Sequence, residues 1–251
     1  MPQLPQRPHL LLGITGSVAA VKWECLCSKL YPFFELRVIF TERSGAFTPL
    51  SASYSPHDHE CLERIQSFAS ETENRSLGPS VPSVPSAGPP VGGSGVAEES
   101  AEQVAQQGCV EYYRDADEWR EYQGVGSSPV LHIELRKWAD IFVIAPCTAN
   151  TLAKLACGLA DNLLTCVARA WEFGEDGRVA KPFLIAPAMN SCMWSHPITS
   201  THLSVLQGWG VLVISPIEKV LACGDKGVGA MGEVEAIVMK ACEAVKKSSF
   251  S

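Results

Sequence analysis

Short apolar runs alternate with stretches of helical periodicity in the first part of the chain. Residues 9–14 and 36–41 are almost wholly apolar, and residues 18–30 between them carry apolar side chains at helical spacing. A strand, a turn, a helix and a second strand in this order predict a parallel sheet with a right-handed crossover.

The same alternation returns in the later part of the chain. The predicted strands there are residues 140–146, 181–187 and 211–215, and the predicted helices are residues 131–139, 150–171 and 233–247. Strands that are apolar on both faces belong to sheets covered by helices on both sides. We therefore predict an α/β fold, a doubly wound, Rossmann-like parallel sheet sandwiched by helices.

Residues 51–108 interrupt this pattern. Their centre is rich in Pro, Gly and Ser and contains too few apolar side chains to offset the entropy of ordering. We predict a single domain spanning residues 1–251, with a short helix near residues 61–68 and a disordered insertion at about 70–108.

Composition excludes several classes of function. The net charge of −7 leaves no basic surface for nucleic acid, and no run of 18 apolar residues is present to span a membrane. The first residues do not resemble a signal peptide. The ten cysteines include no C-x-x-C pair, which favours buried, reduced thiols in a cytoplasmic protein and no metal site.

Ligands of open α/β sheets bind beyond the carboxyl ends of the strands. Residues 13–18 form one such corner, GITGSV, in which the backbone amides of Gly16, Ser17 and Val18 are predicted to point outward and bind an anion at a helix N-terminus. The motif is neither GxGxxG nor a Walker loop, so a simple structural turn explains it equally well.

Two later corners carry polar side chains. Thr148, Asn150 and Thr151 follow the third strand, where they either hydrogen-bond a heterocycle or cap the next helix. Asn190 follows the fourth strand among Met189, Met193 and Trp194, an arrangement that suits one polar group in a site that excludes water. The alternative for Asn190 is a structural turn.

Two further residues have candidate chemistry but ambiguous surroundings. His132 lies in PVLHIELRKWAD, where it is either a buried core histidine or a proton-transfer group. Cys223 lies in the glycine-rich segment LACGDKGVGAM, where a thiol on a closing loop could reach a ligand, although it is one cysteine among ten.

Five segments together resemble the homo-oligomeric flavin-containing cysteine decarboxylases. These are GITGSVAAVK, PVLHIELRKWAD, ADNLLTCVARAW, APAMNSCMWSHPIT and LACGDKGVGAM, in the order found in that family. The combination of the PAMN-x-x-MW and ACGD-x-G-x-GAM patterns is highly specific. The insertion at about 51–108 departs from the usual members but interrupts none of these segments.

The resemblance implies a flavodoxin-like flavoprotein with FMN as its cofactor. The residues implied to bind FMN are Gly16, Ser17, Val18, Thr41, Thr148, Ala149, Asn150, Thr151 and Ala188. The implied reaction is the decarboxylation of 4'-phosphopantothenoylcysteine to 4'-phosphopantetheine in coenzyme A biosynthesis. The implied assembly is a cytoplasmic homotrimer with sites at the subunit interfaces.

The resemblance also implies roles for individual side chains. His132 would be the active-site base or orienting residue, reaching the flavin of a neighbouring subunit, and Cys223 would be the proton donor. The residues implied to bind the substrate are Asn190, Met189, Ala222 and Met231. Oxidation of the substrate CH2–SH to a thioaldehyde places a C=S group β to the carboxylate, so that CO2 can leave, and the resulting enethiol is then reduced.

Three other functions remain open on the sequence. The first is prenylation of FMN, a class that shares the glycine turn but lacks the PAMN and ACGD segments. The second is regulation of a protein phosphatase by a flavoprotein of the same fold. The third is decarboxylation of another substrate that ends in cysteine.

Overall fold

Six parallel strands form the central sheet in a computed structural model of the chain, which describes residues 7–76, 109–120, 129–220 and 226–248. The strands are β1 (His9–Ile14), β2 (Glu35–Phe40), β3 (Glu111–Arg114), β4 (Ile141–Cys147), β5 (Phe183–Pro187) and β6 (Leu212–Val213). Their order across the sheet is β3-β2-β1-β4-β5-β6, and every neighbouring pair is parallel. The order reverses between β1 and β4, which confirms the predicted doubly wound sheet.

Helices cover both faces of the sheet. They are α1 (Trp23–Leu30), α2 (Ser51–Tyr54), α3 (Pro56–Ser76), α4 (Asp117–Arg120), α5 (Leu131–Trp138), α6 (Ala149–Cys157), α7 (Leu163–Arg169), α8 (Ser191–Ser195), α9 (Pro197–Gly208) and α10 (Val234–Ser248). An antiparallel pair, β7 (Ile217–Val220) and β8 (Lys226–Ala230), lies outside the main sheet.

Alternating side chains of the strands supply two separate cores. In β1, Leu10 and Leu12 pack with α1 and α10 on one face, whereas Leu11 packs with α5, α6 and α7 on the other. All three side chains are fully buried. The apolar character of the strands therefore follows from burial on both faces, as predicted.

The predicted helix over residues 150–171 is wrong, because the structure has two helices there. Gly158 ends α6 in a left-handed conformation with φ of 71°, which favours glycine. Asn162 then begins α7 with a reciprocal capping box that involves Thr165. Both are local helix-boundary signals, and the apolar periodicity that continues through them masked the break.

Two other predicted elements differ in detail. The predicted helix over residues 18–30 begins as a 3-10 helix, Val18–Lys22, before α1. Strand β3 escaped prediction because it is an edge strand of four residues with alternating exposure, and edge strands carry little apolar signal.

The insertion begins with an ordered helix. Leu62 and Ile65 of α3 pack against the core on the α1 face, and the helix continues to Ser76, past the predicted start of the disordered stretch at 70. Residues 77–108 lie outside the described residues, so disorder there stays a prediction, as does the single-domain assignment.

The described cysteines form no disulfide, but fewer of them are buried than predicted. Cys27 and Cys147 are buried, whereas Cys157 and Cys192 are exposed. Burial raises the pKa of the Cys147 thiol to about 12, so this thiol stays protonated at neutral pH. Within the described ranges, no helix combines the length and the apolar character needed to cross a bilayer.

Candidate functional site

A cleft of about 640 Å³ opens at the point where the strand order reverses, and we call it the central cleft. It is lined by Gly16, Ser17, Thr41, Glu42, Arg43, Asp115, Thr148, Ala149, Asn150, Thr151, Lys154, Asp161, Asn162, Ala188, Met189 and Met193. These residues follow the carboxyl ends of β1, β2, β3, β4 and β5. Eight of the nine predicted cofactor residues lie here, Val18 being the exception.

Buried Thr15 joins the two loops that flank the central cleft. Its hydroxyl donates to the Pro146 carbonyl at 2.7 Å and accepts from the Thr148 amide at 3.1 Å. These bonds tie the end of β1 to the end of β4. Sequence reasoning missed Thr15, because a β-branched hydroxyl residue at the end of a strand carries no signal of a long-range contact.

Gly16 allows the β1 loop to approach the end of β2. A Cβ atom at Gly16 would lie 2.5 Å from the Arg43 Cβ and 2.9 Å from its carbonyl carbon and oxygen. A side chain would therefore push the backbone of these two loops apart. Beside them, the buried Thr41 hydroxyl donates to the Ile14 carbonyl at 3.3 Å, so the first two strand ends form one wall.

The predicted outward-pointing amides of the β1 corner are partly wrong. The Ser17 amide donates to the Thr15 carbonyl at 2.8 Å, and the Ser17 hydroxyl accepts from Ala19 at 3.3 Å as the cap of the 3-10 helix. The Ser17 amide is thus used inside the turn. Val18 is exposed and lines a different cleft, described below.

The β4 corner supports both of its proposed roles. Thr148 caps α6, because its hydroxyl accepts from the Thr151 amide at 3.2 Å and donates to the Thr151 hydroxyl at 3.0 Å. Asn150 is exposed on the cleft side of the same turn. Capping and ligand binding can therefore coexist at this corner.

Charged residues at the rim of the central cleft were not predicted. The Lys154 ammonium donates to both carboxylate oxygens of Asp161, at 2.6 and 2.7 Å, and lowers the pKa of that carboxyl. Asp115 follows β3 and accepts from the Leu163 amide at 2.9 Å. The position of Asp115 directly after a strand could have indicated a site residue, but the strand β3 was itself not predicted.

A second cleft, of about 420 Å³, adjoins the first, and we call it the side cleft. It is lined by Ser17, Val18, Ala19, Val21, Lys22, Tyr54, Ala188, Met189, Asn190, Lys219, Gly229, Ala230 and Met231. Ser17, Ala188 and Met189 line both clefts. Three of the four predicted substrate residues, Asn190, Met189 and Met231, lie here.

Asn190 begins α8 and also faces the side cleft. Its side-chain oxygen accepts from the Cys192 amide at 2.8 Å, which makes it the N-cap of the helix. The cap fixes the orientation of the amide next to Met189 and Met231. The structural turn and the binding role are therefore compatible at this residue as well.

The glycines of β8 let the strand pack against the Asn190 corner. The Met189 amide donates to the Gly229 carbonyl at 2.9 Å, and a Cβ atom at Gly229 would lie only 2.3 Å from the Met189 carbonyl oxygen. A Cβ atom at Gly227 would lie 2.9 Å from that of Ser191. Predicted site residues Ala222 and Cys223 lie outside the described residues, between β7 and β8.

Two lysines flank one carboxylate at the side cleft. Lys219 lies 2.8 Å from Glu233, and Lys22 lies 3.9 Å from the same side chain. The hydrogen bond from Lys219 lowers the pKa of Glu233. Sequence reasoning gave neither lysine a role, because the carboxylate that brings them together is distant from both in sequence.

His132 lines neither cleft among the described residues. It is the second residue of α5, and its side chain is 25% exposed, so it is not a buried core histidine. Its Nδ1 atom lies 2.8 Å from Oε1 of Glu118 on α4. The structure therefore brings the predicted cofactor and substrate residues together but leaves His132 outside their clefts.

Comparison with known proteins agrees with this geometry. The family model described as Flavoprotein matches residues 2–246. Mouse phosphopantothenoylcysteine decarboxylase is 39% identical over 242 residues, which cover 96% of this chain and 88% of the mouse protein. A solved mutant PPC decarboxylase complexed with pantothenoylaminoethenethiol superposes with a TM-score of 0.68 at 36% identity, covering 95% of this chain and 98% of the other.

The FMN binding protein AtHal3 has a TM-score of 0.65 and 37% identity, and the match covers 95% of this chain and 96% of that one. The matches extend over nearly the whole chain, and the residues matched by the family model include every segment that borders the two clefts. This chain belongs to the Flavoprotein family.

Proposed function

We propose that this chain catalyses the FMN-dependent decarboxylation of 4'-phosphopantothenoylcysteine to 4'-phosphopantetheine, a step of coenzyme A biosynthesis. The observation that carries the proposal is the junction of the two clefts, which share Ser17, Ala188 and Met189. A cofactor in one cleft and a substrate in the other would meet at these residues. The full-length similarity to phosphopantothenoylcysteine decarboxylases supports the same reaction.

The donor set of the central cleft fits FMN. Hydroxyls of Ser17, Thr41, Thr148 and Thr151 and the amide of Asn150 surround a space of suitable size at the switch point of the sheet. Gly16 and Ala149 leave the backbone accessible there, and Ala188 borders the side cleft. When bound, FMN supplies a reversible acceptor for a hydride from the substrate CH2–SH group.

Asn190 is proposed to orient the substrate carboxylate in the side cleft, with Met189, Ala222 and Met231 completing the binding surface. A carboxylate that is about to leave must be oriented without deep stabilisation of its ground state. A neutral amide meets this need, because it orients the carboxylate by a hydrogen bond without the ion-pair attraction and bidentate contact that an arginine would add. The cap to Cys192 holds the amide in place.

The lysines of the side cleft suit the phosphate of this substrate. Lys22 and Lys219 already share the single carboxylate of Glu233, so two ammonium groups stand against one negative charge. A phosphate at the mouth of the cleft would complete the balance of charge. Hydrogen bonds from lysine ammonium groups to phosphate oxygens are charge-assisted and about twice as strong as hydrogen bonds between neutral groups.

Proton transfer is proposed to use two residues that lie apart in sequence. Cys223, in the segment that joins β7 to β8, would protonate carbon when the enethiol is reduced. His132 would accept or direct the proton of the substrate thiol. Because His132 lines neither cleft of its own chain, we propose that a neighbouring subunit supplies it, in a cytoplasmic homotrimer.

Turnover tests the proposal. Purified protein is incubated with 4'-phosphopantothenoylcysteine while 4'-phosphopantetheine and CO2 are measured, beside a His132→Asn variant. Product from wild type and none from a yellow, folded variant supports the reaction and the role of the histidine. No turnover by an FMN-loaded trimer would contradict the proposal and favour another substrate that ends in cysteine.

A further inference from the structure

A carboxylate outside every motif of the family resemblance contacts the candidate active-site histidine. Glu118 lies on α4, directly after β3, and its Oε1 atom is 2.8 Å from the His132 Nδ1 atom. The side chain of Glu118 is only 11% exposed. Its second oxygen, Oε2, is buried and has no hydrogen-bond partner in the part of the chain that the structure describes.

The chemistry of this contact fixes one tautomer of the ring. An ionised carboxylate can only accept hydrogen bonds, so the proton of a neutral imidazole must sit on Nδ1 when Glu118 faces that atom. Nε2 then carries the lone pair. Nε2 is therefore the nitrogen that can take a proton from a substrate, on the side of the ring opposite Glu118.

Stability alone is a weak reason for this arrangement. A buried carboxylate with one unsatisfied oxygen costs desolvation energy that the hydrogen bond to His132 only partly offsets. Exposed ion pairs on α5, the helix that carries His132, form without such burial, as Glu134 does with Lys137 at 3.0 Å. An orienting role for a proton-transfer group is the purpose that a buried carboxylate–histidine pair serves elsewhere.

We infer that Glu118 is the positioning residue of His132, holding it as the Nδ1–H tautomer and leaving Nε2 as the nitrogen that can accept a proton from the substrate. The inference rests on the proposed function, in which Nε2 acts in the clefts of a neighbouring subunit. It extends the site to α4, a helix of four residues between β3 and α5.

The test combines a tautomer measurement with kinetics on the FMN-loaded full chain. Protein labelled with 15N in its histidine rings is examined by long-range 1H–15N correlation at a pH where the rings are neutral, and His132 is identified by its loss in His132→Asn. We expect the Nδ1–H pattern in wild type and a shift towards Nε2–H in Glu118→Ala. The same variant should lose about 10- to 100-fold in kcat with little change in KM, because a mispositioned base loses part of the contribution of a proton-transfer group.

Two further variants separate positioning from packing. Glu118→Gln keeps the side-chain length and an acceptor oxygen, so we expect it to fold, to retain the tautomer and to lie closer to wild type in kcat. Glu134→Gln makes the same chemical change at an exposed ion pair and should leave kcat and the His132 signals unchanged.

The outcomes distinguish this inference from the proposed function. An active wild type whose Glu118→Ala variant keeps both its tautomer and its kcat would overturn the inference and leave the reaction standing. Equal losses in Glu118→Ala and Glu118→Gln with an unchanged tautomer would also overturn it. An inactive wild type with the Nδ1–H pattern would contradict the proposed reaction but support the role of Glu118.

Discussion

The two joined clefts and the His132 region are built in different ways. The clefts form where loops at the strand ends meet, held by contacts such as the hydrogen bond from the Thr15 hydroxyl to the Pro146 carbonyl and the close backbone packing at Gly229. His132 instead lies on α5, which covers one face of the sheet, and its defined partner is Glu118. The segment PVLHIELRKWAD, which contains His132, thus lies apart from the segments of the family resemblance that border the clefts.

From this difference we propose that binding and proton transfer are located in different parts of the subunit. In this proposal the clefts bind cofactor and substrate, whereas the α4–α5 region supplies His132 for proton transfer, in the tautomer that we infer Glu118 selects. One copy of the chain is therefore expected to bind cofactor and substrate without the histidine, which a second copy is expected to supply.

The largest effect is expected from Asn190. Asn190→Asp places a negative charge beside the substrate carboxylate, so kcat/KM should fall by about 100- to 1000-fold, or about 3–4 kcal/mol. Asn190→Ala should lose less activity, together with about 1 kcal/mol of stability from the lost helix cap. Both variants should keep FMN, measured by absorbance. Full activity in both would refute the role of Asn190.

Gly229→Ala should disturb the side cleft through the backbone. Gly229 has φ of 151°, and the new Cβ would lie 2.3 Å from the Met189 carbonyl oxygen. We expect unfolding free energy to fall by about 2–3 kcal/mol and KM to rise. The matched control is Gly208→Ala, where nothing lies within 4 Å of the new atom. Equal denaturant midpoints for the two variants would contradict the close contact.

Lys219→Ala tests the phosphate end of the side cleft. Kinetics are compared for 4'-phosphopantothenoylcysteine and for the same compound without its phosphate. We expect KM to rise about tenfold for the phosphorylated substrate alone, or about 1.4 kcal/mol. Lys240→Ala removes a similar exposed lysine paired with Glu243 and should change neither value. Equal losses with both substrates would exclude phosphate binding by Lys219.

The smallest effect concerns Asp161 at the rim of the central cleft. Lys154 lowers its pKa in the folded state, so the pair stabilises the fold above the ordinary carboxyl pKa and loses that contribution as pH falls through the lowered value. Because Asp161 is 59% exposed, we expect less than about 0.5 kcal/mol. Asp161→Asn should flatten this part of the pH profile of unfolding, and an unchanged profile would contradict the pairing.

The sequence predicted the sheet and the corners of the clefts because both depend on local patterns. Fully apolar strands indicate burial on two faces. Thr148 follows such a strand directly, and Asn190 lies three residues after the end of another. The break at Gly158 was also a local signal, but continuous apolar periodicity concealed it. The prediction of one helix over residues 150–171 thus followed the apolar periodicity when it should have followed the helix-ending glycine.

Other features depend on contacts between distant parts of the chain. The Thr15 hydroxyl donates to the Pro146 carbonyl, Lys22 lies near Glu233, and Glu118 contacts His132 from a different helix. Neither the hydrophobic periodicity nor the spacing of motifs predicts such tertiary contacts. The place that we propose for His132, at the clefts of a neighbouring subunit, would depend on assembly, which a pattern along one chain does not encode.

Mixed trimers test the division of the site most directly. His132→Asn and Asn190→Asp subunits with different tags are expressed together, and trimers that contain both are purified with FMN. If His132 of one subunit acts in the clefts of the next, one interface in each mixed trimer joins two native halves, so activity should return to about one third of wild type. Mixed trimers as inactive as both parents would show that each subunit uses its own histidine, and would contradict this account.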